Sequence, residues 1–149
     1  MYVWQLWKIL RSFLMIGIVV VSHSSKVAEG ICDMVQQISS RDGTKMPIYP
    51  AGGNAQGGLG TDPQKVLDAI KQADQGEGVV VLADLGSGVI SSQAAIAMLE
   101  EPLRSRVKIA DAPILEGAVG AGVEAASGGE STLDLVVSTA EGARQLHKK

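Results

Sequence analysis

An unbroken aliphatic run at residues 16–21 constrains the fold of this chain more than any other feature. A strand that is apolar at every position, and not only at every second one, is typical of a parallel sheet covered on both faces. Residues 79–83 repeat this pattern, and residues 107–110 are predicted to form a fourth, shorter strand. Because parallel strands are joined by helical crossovers, the sequence predicts an α/β fold.

Segments with helical spacing and turn signals separate the apolar runs. A helix is predicted over residues 26–38, and prolines in a short strand at residues 46–51 favour the edge of the sheet. Further helices are predicted in three places: from about residue 88 as far as residue 101, over residues 116–127, and over residues 131–146. The alternation predicts a doubly wound, mainly parallel sheet of four to five strands with helices on both faces.

A glycine-rich loop at residues 52–60 leads into another helix. Thr61 or Asp62 is expected to cap this helix, with Pro63 in its first turn. Gln64 stands three residues after Thr61, as in a capping box.

Length and charge restrict the function classes. The 149 residues are enough for one domain with a substantial core. The 13 basic residues are spread along the chain and the net charge is −3, so nucleic-acid binding is not expected. No metal or cofactor is expected, because the two histidines lie far apart and no metal-ligand spacing occurs. The single cysteine, Cys32, is expected to be packed in the first helix, which fits a cytoplasmic protein.

The first fourteen residues differ in composition from the rest of the chain. They hold four of its five aromatic residues. A signal peptide is one interpretation, since Lys8 and Arg11 precede an apolar stretch. Against it, no cleavage site of small residues follows, and cleavage would remove the first strand. We therefore expect residues 1–14 to be a non-native or appended extension, residues 15–149 to be the functional domain, and no membrane to be a partner.

Two polar side chains follow the longest aliphatic runs. His23 lies two residues beyond the first run, and Asp84 comes directly after the third strand. The carboxyl ends of parallel strands meet at one edge of a sheet, where α/β proteins build their sites. A carboxylate at Nδ1 of an imidazole leaves Nε2 as an exposed nucleophile, which suits a phosphoryl carrier. A structural, hydrogen-bonded histidine is the alternative.

A phosphoryl group on His23 would need hydrogen-bond donors from nearby helix N-termini and from the glycine-rich loop. The candidates for phosphate binding are Ser22, Ser24, Gly53, Thr61 and Ser87. Competing motifs are weak. The turn at residues 86–88 lacks the third glycine of a dinucleotide site, the glycine-rich loop lacks the lysine of a nucleotide-binding P-loop, and no serine-hydrolase elbow occurs.

Four segments resemble the phosphotransferase (M) subunit of phosphoenolpyruvate-dependent dihydroxyacetone kinase, a family similar to mannose-type enzyme IIA domains. In chain order they are IVVVSHSSKVAEG at residues 18–30, AGG at 51–53 with GTD at 60–62, DLGS at 84–87, and APILEGAV at 112–119. The resemblance implies a homodimer in which His23 is transiently phosphorylated and Asp84 orients its ring. Gly88 stands where alanine is commoner in the family.

The resemblance also implies partners. The donor would be the histidine-containing phosphocarrier protein, and the acceptor would be ADP bound on the L subunit of dihydroxyacetone kinase. One alternative is an enzyme IIA domain of a mannose-type sugar transporter, although such domains usually carry glycine after the histidine, where this chain has Ser24. A non-catalytic, flavodoxin-like regulatory module is the other alternative.

Overall fold

The protein is described here by a computed structural model that covers residues 2–149. Strands and helices alternate after an N-terminal helix. In chain order the elements are α1 (Val3–Ser12), β1 (Gly17–Ser22), α2 (Ser25–Ser39), β2 (Ile48–Gly52), α3 (Pro63–Ala73), β3 (Val79–Ala83), α4 (Gly86–Ala97), β4 (Val107–Ile109), α5 (Ile114–Ala125) and α6 (Leu133–Gly142).

The four strands form one parallel sheet in the order β2-β1-β3-β4. The chain leaves β1 towards β2 on one side and leaves β3 towards β4 on the other. The crevice between the carboxyl ends of β1 and β3 is therefore the point at which the winding direction reverses, the usual position of sites in such folds. The predicted α/β class, the parallel sheet and the edge position of the second strand are confirmed.

Two apolar layers cover the sheet, and β1 contributes alternate side chains to both. Ile18 and Val20 pack with α2, α5 and α6, whereas Val19 and Val21 pack with α3 and α4. All four side chains are fully buried. Burying one such side chain contributes roughly 1.5–3 kcal/mol to folding, so β1 is a firm support for the residues that follow it.

The outer edge of β2 does not offer a regular row of hydrogen-bonding groups. Pro50 has no backbone N–H, and the carbonyl oxygen of Gly52 accepts hydrogen bonds from Ser25 Oγ (3.4 Å) and Lys65 Nζ (3.2 Å). Prolines and side-chain contacts of this kind protect a sheet edge from pairing with another strand. They explain why the sequence pattern of β2 is interrupted.

One of the two predicted caps of α3 is found, and two predicted helices end earlier than expected. Asp62, and not Thr61, caps α3, because its carboxylate accepts the Gln64 amide at 3.0 Å, and the capping box is not formed. Helix α4 ends at Ala97. It does not reach residue 101, which precedes Pro102 and is therefore disfavoured in a helix. Helix α6 ends at Gly142, where the chain tightens into a short 3₁₀ turn.

Cys32 lies buried within α2, as predicted. Burial, with the nearby carboxylates of Asp33 and Glu29, raises the pKa of its thiol to about 12. The thiol therefore stays protonated and unreactive at neutral pH.

The N-terminal helix α1 lies against the amino-end side of the sheet. Arg11 forms an ion pair with Glu77 (3.2 Å), and the amide of Met15 donates to Gln75 Oε1 at 2.8 Å. None of the residues of α1 is buried. Between residues 2 and 149, no helix combines the length and the apolar character needed to cross a bilayer.

Candidate active site

His23 and Asp84 meet at the carboxyl ends of β1 and β3. The two strands are neighbours in register, with Val21 opposite Ala83. The ring nitrogen Nδ1 of His23 lies 2.9 Å from Oδ1 of Asp84, and each side chain keeps 19% of its surface exposed. The pair is thus partly shielded from water but can still be approached from outside.

Asp84 accepts hydrogen bonds at both carboxylate oxygens. Oδ2 accepts from the Ser22 hydroxyl (2.9 Å) and the His23 amide (3.0 Å), and Oδ1 accepts from the Leu85 amide (2.8 Å). Burial by itself would raise the pKa of Asp84, but the His23 amide, the His23 ring and the Ser22 hydroxyl together lower it below its ordinary value. Asp84 is therefore ionised at neutral pH and acts only as an acceptor.

An ionised Asp84 determines the tautomer of His23. Since the carboxylate has no proton to donate, Nδ1 must carry the ring proton, and Nε2 then holds the lone pair. The hydroxyl of Ser87 lies 2.6 Å from Nε2 and donates to it. The nucleophilic nitrogen thus faces the beginning of α4.

The first turn of α4 adds backbone donors beside the ring. The amides of Gly86 and Ser87 have no hydrogen-bond acceptor within residues 2–149, as is usual for the first positions of a helix. Both belong to the helix end where the dipole is positive. The surroundings of Nε2 therefore suit an anion.

The other predicted phosphate-binding residues are engaged within the protein. Ser22 is buried, donates to Asp84 and accepts from the Ser24 amide at 3.1 Å. The Ser24 hydroxyl caps α2 by accepting from the Val27 amide at 3.3 Å. The Thr61 hydroxyl lies 2.5 Å from the hydroxyl of Ser91 on α4. Of the predicted hydroxyl groups, Ser87 is the one that contacts the His23 ring.

Gly52 ends β2, so the glycine-rich loop covers residues 53–60 in the structure, and Gly53 shapes its start. Its φ of 76° is in the left-handed region, and its amide donates to the Ser22 carbonyl at 3.1 Å. A Cβ atom on Gly53 would lie 2.6 Å from Ser25 Oγ. Gly53 thus brings the loop back over the end of β1.

Asn54 organises this loop, a role that the sequence analysis missed. Its Oδ1 accepts from the amides of Gln56 (3.0 Å) and Gly58 (2.9 Å). Gly60 then donates to the His23 carbonyl at 3.0 Å. An asparagine that opens a run of small residues is a signal for such a turn.

The folded loop forms one wall of a shallow pocket beside His23. The pocket measures about 280 Å³ and is lined by residues 23–26 and by the loop residues Gly57, Gly58 and Leu59. Leu59 is 82% exposed and Leu85, next to Asp84, is 61% exposed. Exposed apolar side chains at the rim of a site are typical of protein–protein contacts.

Among residues 2–149, no group of three or more histidine, cysteine, aspartate or glutamate side chains is arranged to hold a metal ion. The chemistry on offer is that of an imidazole oriented by Asp84 next to anion-binding donors. Such a group can attack an electrophilic phosphorus atom and hold the product.

Known proteins share this arrangement of elements and the sequence that carries it. The model of the EIIA-man family, described as PTS system fructose IIA component, matches residues 17–134. A Listeria innocua protein named PEP-dependent dihydroxyacetone kinase 2, phosphoryl donor subunit DhaM, is 36% identical over 110 residues, which are 74% of this chain and 86% of that protein.

Longer relatives carry the same region. The Escherichia coli protein named PEP-dependent dihydroxyacetone kinase, phosphoryl donor subunit DhaM, is 34% identical over 116 residues, or 78% of this chain. This chain spans only 25% of that protein and 28% of a similarly named Klebsiella michiganensis protein.

A solved structure agrees with the fold. It is described as the crystal structure of unknown function protein EF1359 and is 35% identical, with a TM-score of 0.73 over 86% of this chain and 94% of that one. The resemblance inferred from the four sequence segments is thereby confirmed. The chain belongs to the EIIA-man family, in the group of the DhaM phosphoryl donor subunits.

Proposed function

We propose that this protein is a phosphohistidine carrier in which Nε2 of His23 transiently holds a phosphoryl group. The donor is the histidine-containing phosphocarrier protein, and the acceptor is ADP bound on the L subunit of dihydroxyacetone kinase. The contact between Asp84 and Nδ1 is the main support for this proposal, because it leaves the lone pair on Nε2, which faces the N-terminal end of α4. The names of the relatives support a role in phosphoryl transfer.

Transfer to His23 begins with the Nε2 lone pair attacking the phosphorus atom of the donor phosphohistidine. A new P–N bond forms, the P–N bond of the donor breaks, and its electron pair returns to the donor imidazole. Nδ1 of His23 keeps its proton throughout, so the phosphorylated ring gains positive charge. The ionised Asp84, 2.9 Å from Nδ1, stabilises that charge.

In the second half of the cycle, an oxygen of the terminal phosphate of ADP attacks the same phosphorus atom. The P–Nε2 bond breaks, its electrons return to the ring, and ATP forms. The neutral tautomer is restored without any proton leaving Nδ1. The same imidazole can thus accept the phosphoryl group from the donor and then pass it to ADP.

Ser87 is the residue that we assign to direct contact with the phosphoryl group. Its hydroxyl occupies the position next to Nε2 and must rotate away from the nitrogen during transfer, after which it can donate to a phosphoryl oxygen. The amides of Gly86 and Ser87 supply two further donors. Ser22, Ser24, Gly53 and Thr61 support the site by holding Asp84, α2 and the loop in place.

The surface around His23 suits proteins as partners more than a small substrate. The pocket beside the ring is shallow, and the exposed Leu59 and Leu85 flank it, with Ile90 (67% exposed) one turn further along α4. The nucleotide is proposed to sit on the acceptor subunit, consistent with the lack of a P-loop motif in this sequence. We also propose that the protein works in the cytoplasm as a homodimer, as its family resemblance implies.

Acid-labile phosphate labelling tests the carrier assignment. The chain is incubated with phosphoenolpyruvate, enzyme I and the phosphocarrier protein, and incorporation is compared between wild type, His23→Ala and the matched control His147→Ala. His147 is exposed in the C-terminal tail, so its replacement should leave labelling unchanged. Label that persists in folded His23→Ala would refute the proposal and would favour a structural role for His23.

The description of the matching family model keeps a transporter domain as the second candidate. Both candidates accept the label, but they differ in the acceptor. The labelled protein is therefore mixed either with the ADP-loaded L subunit or with a purified sugar-specific IIB protein. We expect rapid loss of label with the first and retention with the second; the reverse result would assign the chain to a transporter.

A further inference from the structure

Helix α1 turns an apolar face away from the rest of the protein. None of its residues is buried. With successive residues about 100° apart, five apolar side chains fall within about one third of the helix circumference. They are Val3, Leu6, Ile9, Leu10 and, at the C-cap, Phe13, each at least 45% exposed.

The opposite, polar side of α1 faces the protein. The turn at Gly128 and Gly129 approaches so closely that a Cβ atom on Gly129 would lie 3.2 Å from Cα of Ser12. Arg11 pairs with Glu77 on the same side. An amphipathic helix normally buries its apolar face, so this orientation leaves the apolar face for a partner outside the chain.

Lys8, Arg11 and Trp4 lie on the polar side of α1, whereas Trp7 lies at the border of the apolar face. Lys8 Nζ lies 4.6 Å from the centre of the Trp4 ring, and the Arg11 guanidinium lies 5.1 Å from that of Trp7. No aspartate or glutamate occurs in residues 2–14. An apolar face opposed by a polar side that carries lysine and arginine but no acidic residue is the pattern of helices that lie in the plane of an anionic membrane surface.

We propose that α1 is an interfacial anchor whose apolar face enters the surface of a bilayer containing anionic lipids. Its ten residues are too few to span a bilayer, which needs about 20. Pairing of two copies through α1 alone is disfavoured, because a helix about 15 Å long offers much less contact than the ~1,200 Å² of a stable interface. This inference departs from the sequence-based expectation that no membrane is a partner.

The position of α1 is compatible with the proposed function. The helix precedes β1, whereas His23 follows it, so the two lie at opposite ends of a six-residue strand. Such a strand is about 20 Å long. A protein anchored through α1 would therefore present His23 away from the lipid.

Vesicle binding of the full chain tests the anchor. Trp4 and Trp7 are the two tryptophans of the sequence, so tryptophan emission reports α1 alone. Vesicles of phosphatidylcholine with one quarter phosphatidylglycerol are compared with pure phosphatidylcholine vesicles, by emission and by co-sedimentation. We expect a blue shift and at least tenfold stronger partition into the anionic vesicles, weakened by added salt.

Two variants sharpen the test. Leu10→Glu places a charge in the apolar face and should reduce partition at least tenfold, whereas the matched control Val123→Glu, at an exposed position of α5, should bind as wild type does. The fold should survive Leu10→Glu, because α1 contributes no buried residue. The absence of a blue shift with either vesicle, equal partition into both, or a lipid-independent shift that grows with protein concentration would overturn the proposal. Phosphate labelling of His23 is independent of all these results.

Discussion

His23 and Asp84 are in contact through Nδ1 and Oδ1 at 2.9 Å although 61 positions separate them in the chain. The contact exists because β1 and β3 are adjacent and end at the same level of the sheet. Asp84 also receives hydrogen bonds from three further groups, so its orientation towards the ring is strongly determined. The geometry fixes both the tautomer of His23 and the direction in which Nε2 points.

Asp84→Asn should slow phosphorylation of His23 on the order of 10- to 100-fold, the usual loss when a carboxylate behind a functional histidine is removed. An amide cannot stabilise the positive charge of the phosphorylated ring, and it can donate to Nδ1 and so favour the other tautomer. The labelling rate and ¹⁵N chemical shifts of the His23 ring measure the two effects. Asp111→Asn, at an exposed position, is the control. An unchanged labelling rate in Asp84→Asn would show that Asp84 has only a structural role.

Stability in acid should depend on Asp84. Its pKa is lower in the folded protein than in the unfolded chain, so the unfolded chain binds more protons and stability falls as the pH drops through this range. The stabilisation is complete above the ordinary aspartate pKa of about 4 and disappears below the folded pKa. Denaturant unfolding at a series of pH values should show a steeper decline for wild type than for Asp84→Asn. Parallel declines would contradict the low pKa.

Ser22→Ala should lower the free energy of unfolding by about 1–3 kcal/mol, because it leaves the part-buried Ser24 amide without a partner and removes one of the two hydrogen bonds to Oδ2 of Asp84. Ser24→Ala, which loses only the cap of α2, should cost about 1 kcal/mol. Urea denaturation compares the two. If Ser22 only supported the fold, labelling of the folded variant would proceed at the wild-type rate; we expect it to be slower, as in Asp84→Asn but to a smaller extent.

Ser87→Ala should lower the ratio of phosphorylated to free protein by at most about fivefold, which corresponds to the loss of roughly 1 kcal/mol of net hydrogen bonding. Part of the effect is offset, because the unphosphorylated form also loses the hydrogen bond to Nε2. The fraction is measured by acid-labile label at fixed ratios of phosphorylated and free phosphocarrier protein. Ser138→Ala on α6 is the matched control. If the phosphorylated fraction of Ser87→Ala equalled that of wild type, Ser87 would not contact the phosphoryl group.

Two glycine substitutions should have opposite effects on stability. A Cβ atom at Gly52 would lie 2.7 Å from the backbone of Ser24 and Ser25, so Gly52→Ala should destabilise the protein and disturb the site. Gly30 lies in α2 with no atom within 4 Å of the added methyl group, and Gly30→Ala should stabilise by about 0.5–1 kcal/mol through helix propensity. Thermal unfolding of both variants checks these signs.

Much of the fold follows from local patterns in the sequence. Unbroken aliphatic runs indicate strands buried on both faces, and the prolines near β2 indicate an edge. The family is also readable, because its motifs occur in order along the chain. Helix ends were less predictable: Thr61 and Asp62 are both good caps, and in the structure Asp62 caps α3 while the Thr61 hydroxyl lies next to that of Ser91.

The roles of individual hydroxyl groups could not be read from the sequence. Ser22, Ser24 and Ser87 are equally suited to bind phosphate by residue type. In the structure, Ser22 holds Asp84, Ser24 caps a helix, and only Ser87 reaches the His23 ring. The orientation of α1 could not be predicted from the sequence either. Periodicity shows that the helix has an apolar and a polar side, but not which side packs against the protein.

The sequence by itself therefore determined the parallel α/β architecture, the placement of His23 and Asp84 at strand ends, and the family. Burial and periodicity can be recognised in short stretches of sequence, without knowledge of distant contacts. Only the tertiary structure decided that β1 and β3 are neighbours, that Nδ1 and not Nε2 faces Asp84, and that Ser87 stands beside the nucleophile. Hydrogen bonds between distant groups depend on strand order and helix packing, and these arise from the whole chain together.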